Sequence, residues 1–168
     1  MLAYGLVLAA TVLVLDQLTK WAFYAALTGL PFWAAAPQPL PQAPLVELTV
    51  FFNHVTVWNF GISFGMFSRG SAQSAWLFAV LALAITGGLV LWLRRAPSRL
   101  VATALGCVIG GAIGNVVDRL RLGAVFDFLD FHAMGWHWPA FNVADAAICV
   151  GVGLLLCDAL FAPKPSAN

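Results

Sequence analysis

Two aspartates stand eighteen positions apart in apolar surroundings, Asp127 in Val125-Phe126-Asp127-Phe128 and Asp145 in Phe141-Asn142-Val143-Ala144-Asp145-Ala146-Ala147-Ile148. Asp145 lies at the head of a run long enough to cross a membrane. A carboxylate one turn inside such a run is costly to keep there, so it marks a polar or wet cavity. An acid on a short connection from the preceding run can reach the same cavity. Two carboxyls brought together where water is scarce cannot both ionise readily, and a pair sharing one proton is the apparatus of aspartic proteases.

The elements that must hold this pair are membrane helices. Of the 168 residues 62% are hydrophobic and 9% charged, whereas a soluble domain carries about 25% charged residues. The mean hydropathy is +0.91. A net charge of +1 offers no attraction to nucleic acid. Cys107, Cys149 and Cys157 all fall in apolar runs, where a thiol behaves as a small hydrophobe and builds no disulfide framework. Ala104-Leu105-Gly106-Cys107 looks superficially like a lipid-attachment box, but Ala104 stands where a larger aliphatic belongs and the stretch is mid-run.

Four helices are expected, over about 2–24, 72–93, 100–121 and 141–160, in a single integral membrane domain covering 1–168. The first run could instead be a cleaved leader ending near 34–36. Its lack of Lys or Arg at the start, its length and Pro37 after such a cut favour a retained span. Pro31, Pro37, Pro39, Pro41 and Pro44 exclude a helix over 31–44. The β-branched and aromatic stretch that follows predicts two or three short strands, a small extracytoplasmic sheet over about 45–68. Residues 123–139 are expected to form a lid, their aromatics lying at the membrane interface. The clustered Arg94, Arg95 and Arg99 place the short loop after the second helix in the cytoplasm, and with it both termini.

That topology brings charges from three helices to one depth. At about 1.5 Å per residue, Asp16 and Lys20 lie roughly 21 and 27 Å from the cytoplasmic start of the first helix, and Asp118 roughly 26 Å along the third. Asp145 is about 6 Å below the outer boundary. Asp16 and Lys20 are also spaced for a helical ion pair, acid first, although an interfacial pair with Lys20 snorkelling outward would read the same way. Gly106, Gly110 and Gly114 form a smooth stripe for close helix packing. On the neighbouring stripe, Gly111 leads to Asn115 and Arg119, an amide and a guanidinium on one face, suited to hold peptide groups or a carboxylate. Asp118 could pair locally with an arginine. Asn59-Phe60-Gly61 predicts a turn. Asp130, His132 and His137 match no usual zinc spacing, so no metal is expected there.

Taken together, these residues resemble lipoprotein signal peptidase, the type II signal peptidase of bacterial membranes. The motifs are Asp16-Gln17-x-x-Lys20, Asn59-x-Gly61-x-x-Phe64, Gly110-Gly111-Ala112-Ile113-Gly114-Asn115-x-x-Asp118-Arg119, Val125-x-Asp127-Phe128 and Phe141-Asn142-x-Ala144-Asp145. Ile62-Ser63 replaces the small pair that the family tends to carry after Asn-x-Gly. The resemblance implies an all-α membrane protein of four transmembrane helices with a small extracytoplasmic β-sheet and a short periplasmic helix or lid. It implies that Asp127 and Asp145 are a catalytic dyad, with Asn59, Gly61, Asn115, Arg119, Asn142 and Ala144 binding substrate or lining the site. Asp16 and Lys20 would support it. The substrate would be a prolipoprotein whose cysteine already carries a diacylglyceryl group, cut on the N-terminal side of that cysteine. No cofactor would be needed, and the enzyme would be a monomer among membrane lipids, in the bacterial inner membrane with its site near the periplasmic face.

Two other classes fit parts of the pattern. A small proton-coupled transporter or channel would also keep acids in its spans, but these gather at one depth and form no relay through the nearly uncharged opposite halves. A non-catalytic assembly partner would explain the glycine stripe but not two confined acids.

Overall fold

The computed structural model describes residues 1–31, 40–61 and 72–161. Four helices, α1 (Leu2–Thr28), α2 (Ala72–Leu93), α3 (Arg99–Leu122) and α4 (Val143–Phe161), are each long and apolar enough to cross a membrane. Their outward residues, such as Val7, Leu77 and Leu156, are exposed hydrophobics of the kind that meets lipid. α1 runs four residues past its expected end because good helix formers continue to Thr28. Gly29 then takes a left-handed φ of 67° and donates its N–H to the Ala25 carbonyl. α3 begins where the Ser98 side chain accepts the Val101 N–H at 3.1 Å, and ends at Gly123, φ 80°.

α3 is the axis of the bundle and the most buried of the four helices. The stripe of Gly106, Gly110 and Gly114 faces α1, so closely that a Cβ added at Gly110 would lie 2.5 Å from the Ala9 carbonyl oxygen. Gly111, on the adjacent stripe, lies against the Ala144 carbonyl of α4. Only glycine permits both helices to approach one axis this closely. Gly110→Ala is therefore expected to destabilise the bundle by about 1–3 kcal/mol through overpacking. At Gly87 nothing lies within 4 Å of an added Cβ, and Gly87→Ala should be neutral or mildly stabilising. Thermal unfolding of both variants in detergent checks the difference.

The remaining strands, β1 (Val46–Thr49), β2 (Phe52–Asn59), β3 (Val125–Ala133) and β4 (Trp136–His137), form one antiparallel sheet in the order β1-β2-β3-β4. β2 pairs with β3 from Phe52 opposite Phe131 to Asn59 opposite Val125. Tyr24 of α1, Trp58 of β2, Leu122 of α3 and Phe126 and Phe128 of β3 make one buried cluster that fastens the sheet to the ends of the helices. The Trp58 indole N–H donates to the Pro41 carbonyl at 2.8 Å, which tethers the proline-rich stretch to the same cluster.

One expectation is borne out and one corrected. The small antiparallel sheet expected beside the four helices is present, with four strands, so all-α alone is too narrow a label; residues 123–139 hold no helix but contribute the strand β3, a two-residue turn at Met134 and Gly135 (φ 50° and 80°), and β4. The turn has the double positive φ of a tight hairpin. Phe126 and Phe128 lie on one face of β3 and Asp127 and Leu129 on the other, but with Asp127 buried and Leu129 apolar the sequence shows no clean alternation of apolar with polar residues. In the stretch 45–68, β2 ends at Asn59; Ile62, Ser63 and Phe64 lie outside the described residues, as do residues 32–39 of the proline-rich stretch and Lys164 beyond α4.

Candidate active site

α4 starts with a reciprocal cap. Asn142 precedes the first helical residue, and its Oδ1 accepts the Asp145 N–H at 2.9 Å, while Asp145 Oδ2 accepts the Asn142 N–H at 3.3 Å. This satisfies two end groups of the helix at once. It also fixes the Asp145 carboxylate at the positive end of the helix dipole, where a negative charge is favoured. The segment just before the cap is bound to the sheet: Phe141 and Leu129 exchange backbone hydrogen bonds of 2.9 and 3.0 Å. The start of α4 is thereby locked to β3, the strand that carries Asp127.

Asn142 joins the two acids. Its amide donates to Asp127 Oδ1 at 2.7 Å, and its carbonyl end receives the Asp145 N–H. Asp127 Oδ2 accepts from Asn59 at the end of β2, 3.2 Å, and Asp145 Oδ1 accepts from Asn115 of α3, 2.7 Å. Asp127 is buried, Asp145 half-buried. Burial, reinforced by the charge of Asp145, pushes the Asp127 carboxyl up to about 7; the hydrogen bonds from Asn59 and Asn142 and the charge of Lys20 only partly oppose this.

Behind the pair lies a fully buried ionic cluster. The Lys20 ammonium has three protons and three acceptors: Asp16 Oδ2 at 2.9 Å, Asp118 Oδ2 at 2.8 Å and Asn115 Oδ1 at 3.1 Å. Lys20 is 3% exposed, so it does not snorkel. The count of helical rise that brought Lys20 and Asp118 to one depth corresponds to this ion pair. Each acid also holds backbone beside one of the paired carboxyls. Asp16 Oδ1 accepts the N–H of Ala144, one residue before Asp145, and Asp118 Oδ2 accepts the N–H of Phe126, one residue before Asp127. Ala144 is completely buried against Gly111 and Gly114, where a larger side chain has no room.

Two supporting residues were missed. Asp118 does more than face the arginines beside it on α3: it spans from Lys20 to β3. Gln17 stands in the sequence only as part of a motif, yet its amide donates to both Asp16 Oδ2 and Asp118 Oδ1 at 3.1 Å and to the Gly114 carbonyl at 3.2 Å. Its place beside Asp16, within the shared depth of the charges, was the available signal.

Asn59 and Gly61 form the turn expected of Asn-x-Gly, the Gly61 N–H donating to Asn59 Oδ1 at 3.1 Å. A Cβ at Gly61 would lie 2.8 Å from the Phe78 ring. Arg119 extends over that same ring, 5.7 Å from its centroid, and donates to the Asn115 carbonyl at 3.3 Å. Its guanidinium thus borders the pair.

Asp130 lies in the stretch expected to form a lid. It is buried, not solvated: Asn53 donates to it at 2.8 Å, His137 Nδ1 lies 2.8 Å from its Oδ2, and the His132 and His137 rings stack. Burial works against its charge, but the hydrogen bonds from Asn53 and His137 and the charges of the two histidines outweigh this and hold the carboxyl below its usual range. Asp130 serves to clasp the β3–β4 hairpin to β2.

Four membrane-length helices and a small sheet meeting at two linked carboxyls define the architecture of a multi-pass membrane enzyme. Two solved bacterial membrane enzymes, determined by the in meso method at 2.3 and 1.9 Å resolution, share the fold. The first superposes with a TM-score of 0.71 at 25% identity, covering 98% of this chain and 94% of that one. The second gives 0.74 at 24% identity, with 95% and 94% covered. The family model of signal peptidase (SPase) II matches residues 8–161. A lipoprotein signal peptidase of Methylobacterium radiotolerans is 47% identical over 93% of this chain and 85% of its own length. That of Rhizorhabdus wittichii is 43% identical over 96% and 88%. The chain belongs to the signal peptidase II family and is a membrane peptidase. The transporter reading finds no support in these relationships.

Proposed function

We propose that this peptidase is an aspartic endopeptidase in which Asp127 and Asp145 are the catalytic dyad. It cleaves diacylglyceryl-modified prolipoproteins on the N-terminal side of the lipidated cysteine. The observation that carries the reading is Asn142, which joins both carboxyls while one of them, Asp127, is pushed up to about 7. A pair with one shared proton is thus available near neutrality. In the first step Asp145, ionised, takes a proton from water as the water oxygen attacks the scissile carbonyl carbon, and Asp127 gives its proton to the carbonyl oxygen. In the second, the tetrahedral intermediate collapses: the C–N bond breaks, the leaving nitrogen takes the proton from Asp145, and Asp127 recovers one from a hydroxyl. Asn59, Asn115 and Asn142 hold the carboxyls in place. Arg119 is placed to donate to a carbonyl oxygen of the substrate. Both steps need only the chain and water.

The test is to incubate the purified protein with a diacylglyceryl prolipoprotein and weigh the products. Release of an intact signal peptide, with the lipidated cysteine as the new N-terminus, supports the proposal; cleavage at another bond, or of the unlipidated precursor equally well, contradicts it.

The site is proposed to face the periplasm, with both termini in the cytoplasm, because Arg94, Arg95 and Arg99 crowd the loop between α2 and α3. A cysteine placed at Gln42 should then react with an impermeant reagent added from the periplasmic side, and one at Ser98 should not. The reverse pattern would invert the topology.

A further inference from the structure

The end of the bundle remote from the dyad carries a basic groove that the peptidase chemistry does not use. Arg99 and Asn115 are sixteen positions apart on α3, about 24 Å of helix. At this end α2 stops at Leu93, whose side chain is fully buried in the cluster formed with Ala9, Val101, Ala102, Leu105 and Ile109. The chain then turns tightly. The N–H groups of Arg94, Arg95 and Ala96 donate to the carbonyls of Val90, Trp92 and Leu93 at 3.1, 2.8 and 3.2 Å. This anchored turn fixes the backbone of Arg94 and Arg95, and both residues are exposed. With Leu91 and Trp92 they line an open groove of about 550 Å³.

The lining has two chemistries side by side. Leu91 and Trp92, 62% and 47% exposed, form an apolar shelf at the end of a membrane-length helix. Beside it stand two guanidiniums, and among the described residues no carboxylate lies within ion-pair distance of Arg94, Arg95 or the nearby Arg99. Planar guanidinium forks recognise phosphate oxygens with paired hydrogen bonds. An exposed tryptophan at a span's end sits at headgroup depth, and basic pockets at that depth take anionic headgroups. A ligand that satisfies both halves has a phosphate head and a hydrocarbon tail, and it must be reachable from the bilayer.

We propose that Arg94 and Arg95, with Leu91 and Trp92, form a binding site for one anionic glycerophospholipid, which fixes the end of α2 at the headgroup level. The test is native mass spectrometry of the full chain in detergent, with phosphatidylglycerol or phosphatidylcholine of identical acyl chains. The wild-type protein should retain phosphatidylglycerol in preference. Arg94→Gln and Arg95→Gln should each weaken that preference about fivefold, the factor expected for one basic residue near the headgroups. Arg99→Gln removes the same charge outside the groove and should leave the preference intact. Trp92→Ala, which removes no charge, should weaken retention of both lipids. The proposal is overturned if the two lipids are retained equally, if Arg99→Gln weakens binding as much as Arg95→Gln, or if inorganic phosphate at equal concentration displaces the lipid.

Discussion

Replacing Asp127 or Asp145 with asparagine will lower turnover of a diacylglyceryl prolipoprotein by about 10⁴-fold, the order lost when one member of a proton-transferring pair is removed. Asparagine keeps the size of the side chain and one of the two hydrogen bonds that each carboxylate accepts but cannot exchange a proton with water. The protein should stay folded and inserted, because the cap that Asn142 makes with the backbone N–H of Asp145 survives in either variant. The two losses should not add in the double variant, since the acids work as a unit. Asp130→Asn is the contrasting case. Asp130 clasps the hairpin through Asn53 and His137 and has no hydrogen bond to the pair or to Asn142. Its substitution should leave turnover near wild type while hydrogen exchange in β4 rises. An inactive Asp130→Asn beside an active Asp127→Asn would move the partner of Asp145 from Asp127 to Asp130.

Lys20→Met will have the largest effect on stability. It fills a similar volume but strands Asp16 and Asp118, both fully buried, without their cation. Breaking a buried ion pair in this one-sided way costs about 3–5 kcal/mol. Relief by protonating or hydrating the acids would disturb the carboxylates that hold Ala144 and Phe126, one residue from Asp145 and Asp127 respectively. Asn115 would also lose its lysine donor while still facing Asp145. A misplacement of about 1 Å costs roughly 10²-fold in rate, so the fraction that stays folded should also turn over about that much more slowly. Thermal unfolding in detergent together with turnover per folded molecule separates the two effects. Unfolding and turnover both like wild type would show that the cluster supports neither fold nor site.

The helices could be read from run length alone, since an apolar stretch of about 20 residues has few alternatives. Counting rise along them was enough to bring Lys20 and Asp118 together. What could not be read was the bond from Asp118 to the Phe126 N–H. It depends on the left-handed turn at Gly123 that folds β3 back over the end of α3, a geometry with no signature in helical periodicity. β3 itself was obscured because Val125, Phe126, Asp127 and Phe128 are all buried. One face of the strand packs on aromatics and the other presents the acid, so the usual alternation of buried apolar with exposed polar residues is lost. The environment of Asp130 is hidden for a related reason: its partners Asn53 and His137 come from neighbouring strands, and only the pairing of β2, β3 and β4 brings them in.

The central claim is that Asp127 and Asp145 share one catalytic proton, and the initial rate of prolipoprotein cleavage as a function of pH tests it most directly. Asp127 must be protonated, so the rate should fall as pH rises through about 7. It should fall again in acid, once the second carboxyl is also neutral and no base remains, giving a bell whose limbs belong to the coupled pair. A rate that is flat from acid to alkaline pH, with the protein still folded throughout, would contradict it.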